Sequence, residues 1–401
     1  MTPTKNASFG LQRNLLRPDN SEKTDRVTYV ELFFDLIFVF ALTQLSSFLS
    51  ANQSLLGAIE STVLVLGLWW VWIYTTWVTN WLDPERLPVR GAIIVLAMVG
   101  LVMSTSIYEA FGDRGIVFAI AYVTLQLGRT VFMIVAVSRH DPDLRRDYLQ
   151  VLAWLAAASV FWIAGGAVPV ELRLPFWIVA ILIEYLSAAV GFRVPGMAAA
   201  RVGDWDISGP HIAERSALFV IIAIGESFLV TGFAFVAQES SVAGVAGVLL
   251  AFFSGVSMWW LYFDQGERVG ARAIQHSDSP GRLARIAYTY VHVVIIGGIV
   301  LTSVADKEIL SHPHDAMKLS TAITVIAGPL LYVAGLALFR WVVAREVLVS
   351  YLVGIGLLLA SSIVAGMLSP LALGAVTTGT LIVVAAWETV TRVRAADAVD
   401  T

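Results

Sequence analysis

The chain has 401 residues, 58% of them hydrophobic and 14% charged, with a mean hydropathy of +0.77. Soluble domains carry about 25% charge, so this balance excludes a soluble globular protein and points to an integral membrane protein. A net charge of −4 decides little, because the placement of the charges matters more. The lack of cysteine excludes disulfides, thiolate chemistry and Cys-ligated zinc or iron–sulfur sites.

Residues 1–29 are polar and basic, without the short apolar core and small-residue cleavage site of a secretory signal. The first apolar run is therefore expected to remain as the first span. About twelve runs are long enough to cross ~30 Å of hydrocarbon at roughly 1.5 Å per residue. They lie near 30–50, 58–80, 89–108, 115–137, 148–168, 174–192, 211–236, 243–263, 284–305, 319–341, 346–367 and 371–391. The fold class is accordingly an all-α polytopic membrane protein with about twelve transmembrane helices.

With the N-terminus on the cytoplasmic side, Lys5, Arg13, Arg17, Lys23, Arg26, Arg86, Arg90, Arg139, Arg145, Arg146, Arg193, Arg201, Arg268, Arg272, Arg282, Arg340, Arg345, Arg392 and Arg394 all fall on that side. The other side receives Arg114, Arg173, Lys307 and Lys318. This asymmetry follows the positive-inside rule and places both termini in the cytoplasm.

The two halves echo one another. Glu31 opens the first span and Glu214 the seventh; Trp69-Trp70 with Tyr74 in the second span is matched by Trp259-Trp260 with Tyr262 in the eighth. Six spans per half is an even number, so the repeats are expected to be parallel, about an axis along the membrane normal. The expected organisation is a polar tail (1–29), a first six-helix repeat (30–192), a cytoplasmic linker (193–210), a second repeat (211–391) and a short tail (392–401).

Ionisable residues inside the spans are the candidates for function. Glu31 and Asp35 stand one helical turn apart on one face. A carboxylate at a helix centre costs roughly 2.5–3.5 kcal/mol on insertion scales, so such groups face a bundle interior, a water-filled path or a partner. Arg129, Glu184, Glu226 and His292 fall near the middle of their spans. An ion pair of Arg129 with Glu226 is expected, with Glu184 and Asp35 as alternative partners. Gly225 and Gly232 are expected to let a neighbouring helix approach. Gln126, Arg129 and Thr130 form one polar stripe, and Gln44 is expected to bond another helix. Tyr288 and His292 are i, i+4 neighbours, which suits either a proton relay or a core histidine.

His211 and Glu214, spaced i, i+3, could present two metal ligands. No HExxH motif or acidic calcium loop accompanies them, so a histidine at a helix start is the simpler reading. No metal or cofactor is expected, and no phosphate loop, nucleophile elbow or nucleic-acid signature is present.

The residues also carry a family resemblance. Glu31-Leu32-Phe33-Phe34-Asp35-Leu36-Ile37-Phe38-Val39 with Gln44-Leu45 resembles the opening signature of the bacterial low-temperature-requirement A (LtrA) family. His211-Ile212-Ala213-Glu214-Arg215, Gly225-Glu226-Ser227, Trp259-Trp260-Leu261-Tyr262-Phe263 and Tyr290-Val291-His292 are similar to its later blocks. Val293-Val294 depart from the Pro-Leu pair usual after that histidine. The resemblance implies a multi-pass bacterial membrane protein, linked by name to growth in the cold. Phe33-Phe34-Asp35 is more loosely similar to the Phe-Ser-Asp motif that opens each repeat of certain endolysosomal potassium channels. The second half has Leu218 where a matching Asp would stand.

Three functions remain open at this point. The leading one is a transporter or channel-like protein for a small solute or ion, such as a proton or monovalent cation. Asp35, Glu226 and Arg129 would line its path, with Glu184 and His292 as accessories. The others are a membrane-embedded enzyme acting on a lipid or isoprenoid through His211, Glu214 and Asp35, and a sensor of cold or membrane state without transport. The bilayer of the bacterial cytoplasmic membrane is the expected surrounding, and the oligomeric state is open.

Overall fold

A computed structural model describes residues 14–17, 26–197, 207–239, 241–264, 270 and 273–397. Lys5, Arg13, Lys23, Arg201, Arg268 and Arg272, most of the expected N-terminal tail, the middle of the 193–210 linker and the last residues of the C-terminal tail lie outside them.

The described residues form twelve helices long and apolar enough to cross a membrane. They are α1 (Tyr29–Ala51), α2 (Leu55–Trp81), α3 (Leu87–Ser104), α4 (Gly115–Val137), α5 (Pro142–Ala167) and α6 (Val170–Ala189). Then follow α7 (Gly209–Val236), α8 (Val242–Phe263), α9 (Pro280–Ser311), α10 (Leu319–Ala344), α11 (Val349–Val364, extended by a short 3₁₀ turn to Met367) and α12 (Pro370–Asp397). The expected number of spans is met, and no strand is present among the described residues; an isolated bridge pairs Leu16 with Leu82.

Local chemistry sets several ends. α5 begins on Asp141, whose side chain accepts from the Leu144 amide, with Pro142 at the first position. Ser241 caps α8 by accepting from the Gly244 amide. α10 stops where Arg345 turns into the left-handed region, at φ 57°.

The helices group into two compact units. The first comprises Met1–Ala41, Thr62–Ile212 and Ser279–Arg282; the second comprises Leu42–Ser61, Ala213–Asp278 and Leu283–Thr401. In the first, α4 packs on α3 and α5, and α5 on α6. Its core is aromatic: Phe118, Tyr122, Trp162 and Trp177 are all buried and in ring contact. Arg173 is buried here too, donating to the Ala110, Gly112 and Gly165 carbonyls at 2.8, 2.7 and 3.2 Å. Its charge therefore ties the α3–α4 connection to α5 and α6.

In the second unit the most extensive packing is between α9 and α10. Small residues make it: a Cβ at Gly298 would stand 2.6 Å from the Tyr332 amide nitrogen, and one at Gly328 would stand 2.7 Å from that of Thr302. Such close approach is how apolar helices associate where no hydrophobic drive separates protein from lipid. Gly225 and Gly232 do not serve this purpose, contrary to expectation. A Cβ at either meets nothing within 4 Å among the described residues.

α9 also departs from its expected length of 284–305. It runs from Pro280 to Ser311, with a π-helical turn over Arg285–Val291. The charged run Asp306-Lys307-Glu308 therefore continues the helix, and Asp306 is buried.

Candidate functional site

The first unit holds a buried chain of hydrogen bonds. Arg129 on α4 donates to Gln126 Oε1 at 2.5 Å, one turn back on its own helix. Gln126 donates to the Tyr122 hydroxyl at 3.1 Å, and that hydroxyl donates to Glu184 Oε2 on α6 at 2.6 Å. Trp162 on α5 donates to the other Glu184 oxygen at 3.1 Å. Arg129 also reaches the Val71 carbonyl and the Thr75 hydroxyl on α2, at 3.0 and 3.3 Å, with its guanidinium 5.2 Å from the centre of the Tyr74 ring. Donors and acceptors alternate consistently from the cation to the carboxylate.

The ion pair expected of Arg129 is therefore not made. Among the described residues no carboxylate lies within salt-bridge distance of it, and two neutral side chains stand between it and Glu184. The reason is geometric. The i−3 glutamine is already in reach on the same helix face, while the α6 acid is reached only through the length of a tyrosine.

Asp35 is fully buried in α1 and accepts from the Trp72 indole at 2.8 Å. Phe34 beside it is also buried, tilted against Phe38 with ring centres 5.3 Å apart.

Near the start of α1, Glu31 meets His211 of α7. Ser208 fixes the amide of Asn80: its backbone N–H donates to Asn80 Oδ1 at 3.0 Å and its carbonyl accepts from Asn80 Nδ2 at 2.9 Å. Asn80 Nδ2 then donates to His211 Nδ1 at 3.2 Å. His211 Nε2 stands 2.9 Å from Glu31 Oε1 and 3.0 Å from a guanidinium nitrogen of Arg17. Arg17 stands 3.4 Å from Glu31 Oε2, and the Thr28 amide and hydroxyl both donate to that same oxygen at 2.9 Å. His211 is thus engaged at both nitrogens. Among the described residues no group of three or more His, Asp or Glu could hold a metal ion.

The second unit is different in kind. Glu226 on α7 is fully buried, and no Lys, Arg or His pairs with it among the described residues. The hydroxyls of Ser46, Ser303 and Thr43 stand beside it as its hydrogen-bonding neighbours. Ser46 and Ser303 are likewise buried. Ser227, the next residue, donates to Asp306 Oδ2 at 3.4 Å. Asp306 was not among the sequence candidates, since its charged neighbours mark it as lying beyond the span.

Elsewhere in this unit Gln44 is half-buried and makes no side-chain hydrogen bond among the described residues, unlike the interhelical bond expected of it. Arg215 is fully buried and Glu214 half-buried.

His292 is fixed at the end of the π-helical turn. Its Nδ1 donates to the Ala287 carbonyl at 2.8 Å, so Nε2 accepts from the Tyr262 hydroxyl, also at 2.8 Å. Tyr288 stacks on the ring with centres 4.6 Å apart. Replacing Tyr262 with Phe leaves a buried acceptor unmet, which typically costs ~1–3 kcal/mol. Thermal unfolding of Tyr262→Phe in detergent is expected to show that loss, and an unchanged midpoint would contradict it.

The chain was compared with known proteins. No solved structure matches it. It is 40% identical over 374 residues to an uncharacterized protein of Rhizobium meliloti (strain 1021), RA0937, covering 93% of this chain and 91% of that protein. The family model "Bacterial low temperature requirement A protein (LtrA)" matches residues 26–386. On that match, which spans nearly all twelve helices, the chain belongs to the bacterial low temperature requirement A family.

Proposed function

We propose that this protein conducts or transports a small ion, a proton or monovalent cation, with the buried acids of its spans on the path. The observation that carries this reading is Glu226: a fully buried carboxylate inside a helical unit, with hydroxyls beside it and no cationic partner among the described residues. A buried charge without a countercharge is costly. Intramembrane acids of this kind mark ion and proton pathways.

The hydrogen-bonded chain from Arg129 to Glu184 acts as a brace of the first unit, since most polar atoms in it are already used. Asp35 is the acid of the first unit that bears on the path. His292, held in one tautomer by Ala287 and Tyr262, supports the π-helical turn of α9. In this reading the two six-helix halves are parallel repeats in the bacterial cytoplasmic membrane with both termini inside, and they rock about the midplane. The lipid-enzyme alternative would use His211 as a base, and both of its ring nitrogens are already engaged.

The test is flux in liposomes. The native protein is expected to carry protons, sodium or potassium at a rate that falls at least about tenfold in Glu226→Gln, corresponding to ~1.4 kcal/mol or more on the barrier. Asp35→Asn should also slow it. Absence of flux from folded native protein, for all three ions, would count against the proposal.

A further inference from the structure

We infer that Glu226, Asp306 and the hydroxyls between them form a binding site for a dehydrated sodium ion. This rests on the reading of the same cluster as part of an ion path, and it names the ion.

The cluster is built from two helices that answer each other. Glu226 and Ser227 are consecutive on α7, and Ser303 and Asp306 lie one turn apart on α9. Ser303 stands beside Glu226, and Ser227 donates to Asp306. Each helix thus offers an acid to the other's hydroxyl. Thr43 and Ser46 of α1 add two hydroxyls on the Glu226 side. Glu226, Ser46, Ser227, Ser303 and Asp306 are exposed by 0, 2, 5, 0 and 6% respectively, so the cluster is shielded from water.

Three features point to a cation of this class. First, no Lys, Arg or His pairs with either acid among the described residues, so the cluster holds two carboxylates without a directly paired cation. Second, the side-chain atoms offered are all oxygens, the ligand type of hard cations. Third, the oxygens outnumber what a proton needs. A proton on Glu226 needs one acceptor, whereas three hydroxyls converge on this carboxylate and a sodium ion gathers several oxygens at once.

Carboxylate ligands are strong-field oxygens and favour the smaller alkali ion, in contrast to the carbonyl rings that select potassium. Glu226 is the charged ligand, and Asp306 is the neighbouring charge that tunes affinity.

The test uses the full chain purified in detergent, with choline replacing sodium at constant ionic strength. Radioactive sodium binding and the thermal unfolding midpoint are read together. Saturable sodium binding is expected, with a rise in the midpoint that potassium does not match. Glu226→Gln should abolish it, and Ser303→Ala, which removes a single oxygen, should weaken it about tenfold. Asp306→Asn should also weaken it.

No sodium-dependent change in folded native protein overturns the inference, as does an equal response to potassium or a native response in Ser303→Ala. Should Glu226→Gln fail to fold, the native titration and Ser303→Ala decide alone. Flux separates this inference from the broader proposal. Sodium binding without flux sinks transport and leaves the site standing. Proton flux indifferent to sodium does the reverse.

Discussion

Arg129→Leu is expected to destabilise the protein by about 3–5 kcal/mol, the usual cost of removing one partner from a buried charge network. Two consequences add together. Gln126 Oε1, the Val71 carbonyl and the Thr75 hydroxyl lose their guanidinium donor. Glu184 keeps its Tyr122 and Trp162 donors but loses the positive charge at the far end of the chain. The two charges communicate through Gln126 and Tyr122, so their effects should not be independent. Glu184→Gln in the Arg129→Leu background is expected to recover part of the loss. A double-mutant cycle on thermal unfolding in detergent should give a coupling of roughly 0.5–3 kcal/mol. Strict additivity would show that the chain of hydrogen bonds transmits nothing between its ends.

Gly298→Val is the second large effect. The added Cβ would stand 2.6 Å from the Tyr332 amide nitrogen and 2.9 Å from the Gly328 carbonyl oxygen. These are backbone atoms of α10 and cannot swing aside as a side chain does, so α9 and α10 must separate. Overpacking in tight cores costs typically 1–3 kcal/mol and more where backbone must move. Gly298→Val is therefore expected to lower the unfolding midpoint sharply or to prevent recovery of monodisperse protein. The neighbouring Gly297 supplies the control, because a Cβ there meets nothing within 4 Å. Gly297→Ala should be neutral or stabilising by up to ~1 kcal/mol from helix propensity. If both substitutions behave alike, the close contact of α9 with α10 is not what holds this part of the second unit.

The second substitution also bears on the sodium site. Ser303 and Asp306 lie on α9 beyond Gly298, so a displaced α9 should weaken sodium binding along with stability. Ser303→Ala leaves the helix contact intact and should separate the two effects.

The sequence alone determined the twelve spans, their rough limits and the family. Crossing a membrane depends on the hydropathy of a continuous stretch, and each helix satisfies its own backbone hydrogen bonds, so this information is local. Helix starts such as Asp141-Pro142 are local in the same sense. Glu31, Asp35, Arg129, Glu184, Glu226 and His292 stood out for a related reason: an ionisable group in an apolar run is anomalous wherever it points.

Which groups those residues meet was decided by tertiary structure. Arg129 sits on a stripe with Gln126, visible in the sequence, yet only the placement of Tyr122 against Glu184 shows how a cation and an acid are joined through neutral side chains. His211 meets Glu31, 180 residues away in the chain, a partner no local spacing reveals. Asp306 was hidden because Asp306-Lys307-Glu308 resembles a span end, while the helix continues to Ser311 and turns the aspartate toward Ser227. Hydropathy records the cost of burying a charge but not the distant hydroxyl or indole that meets it, and those partners come together only when the helices pack.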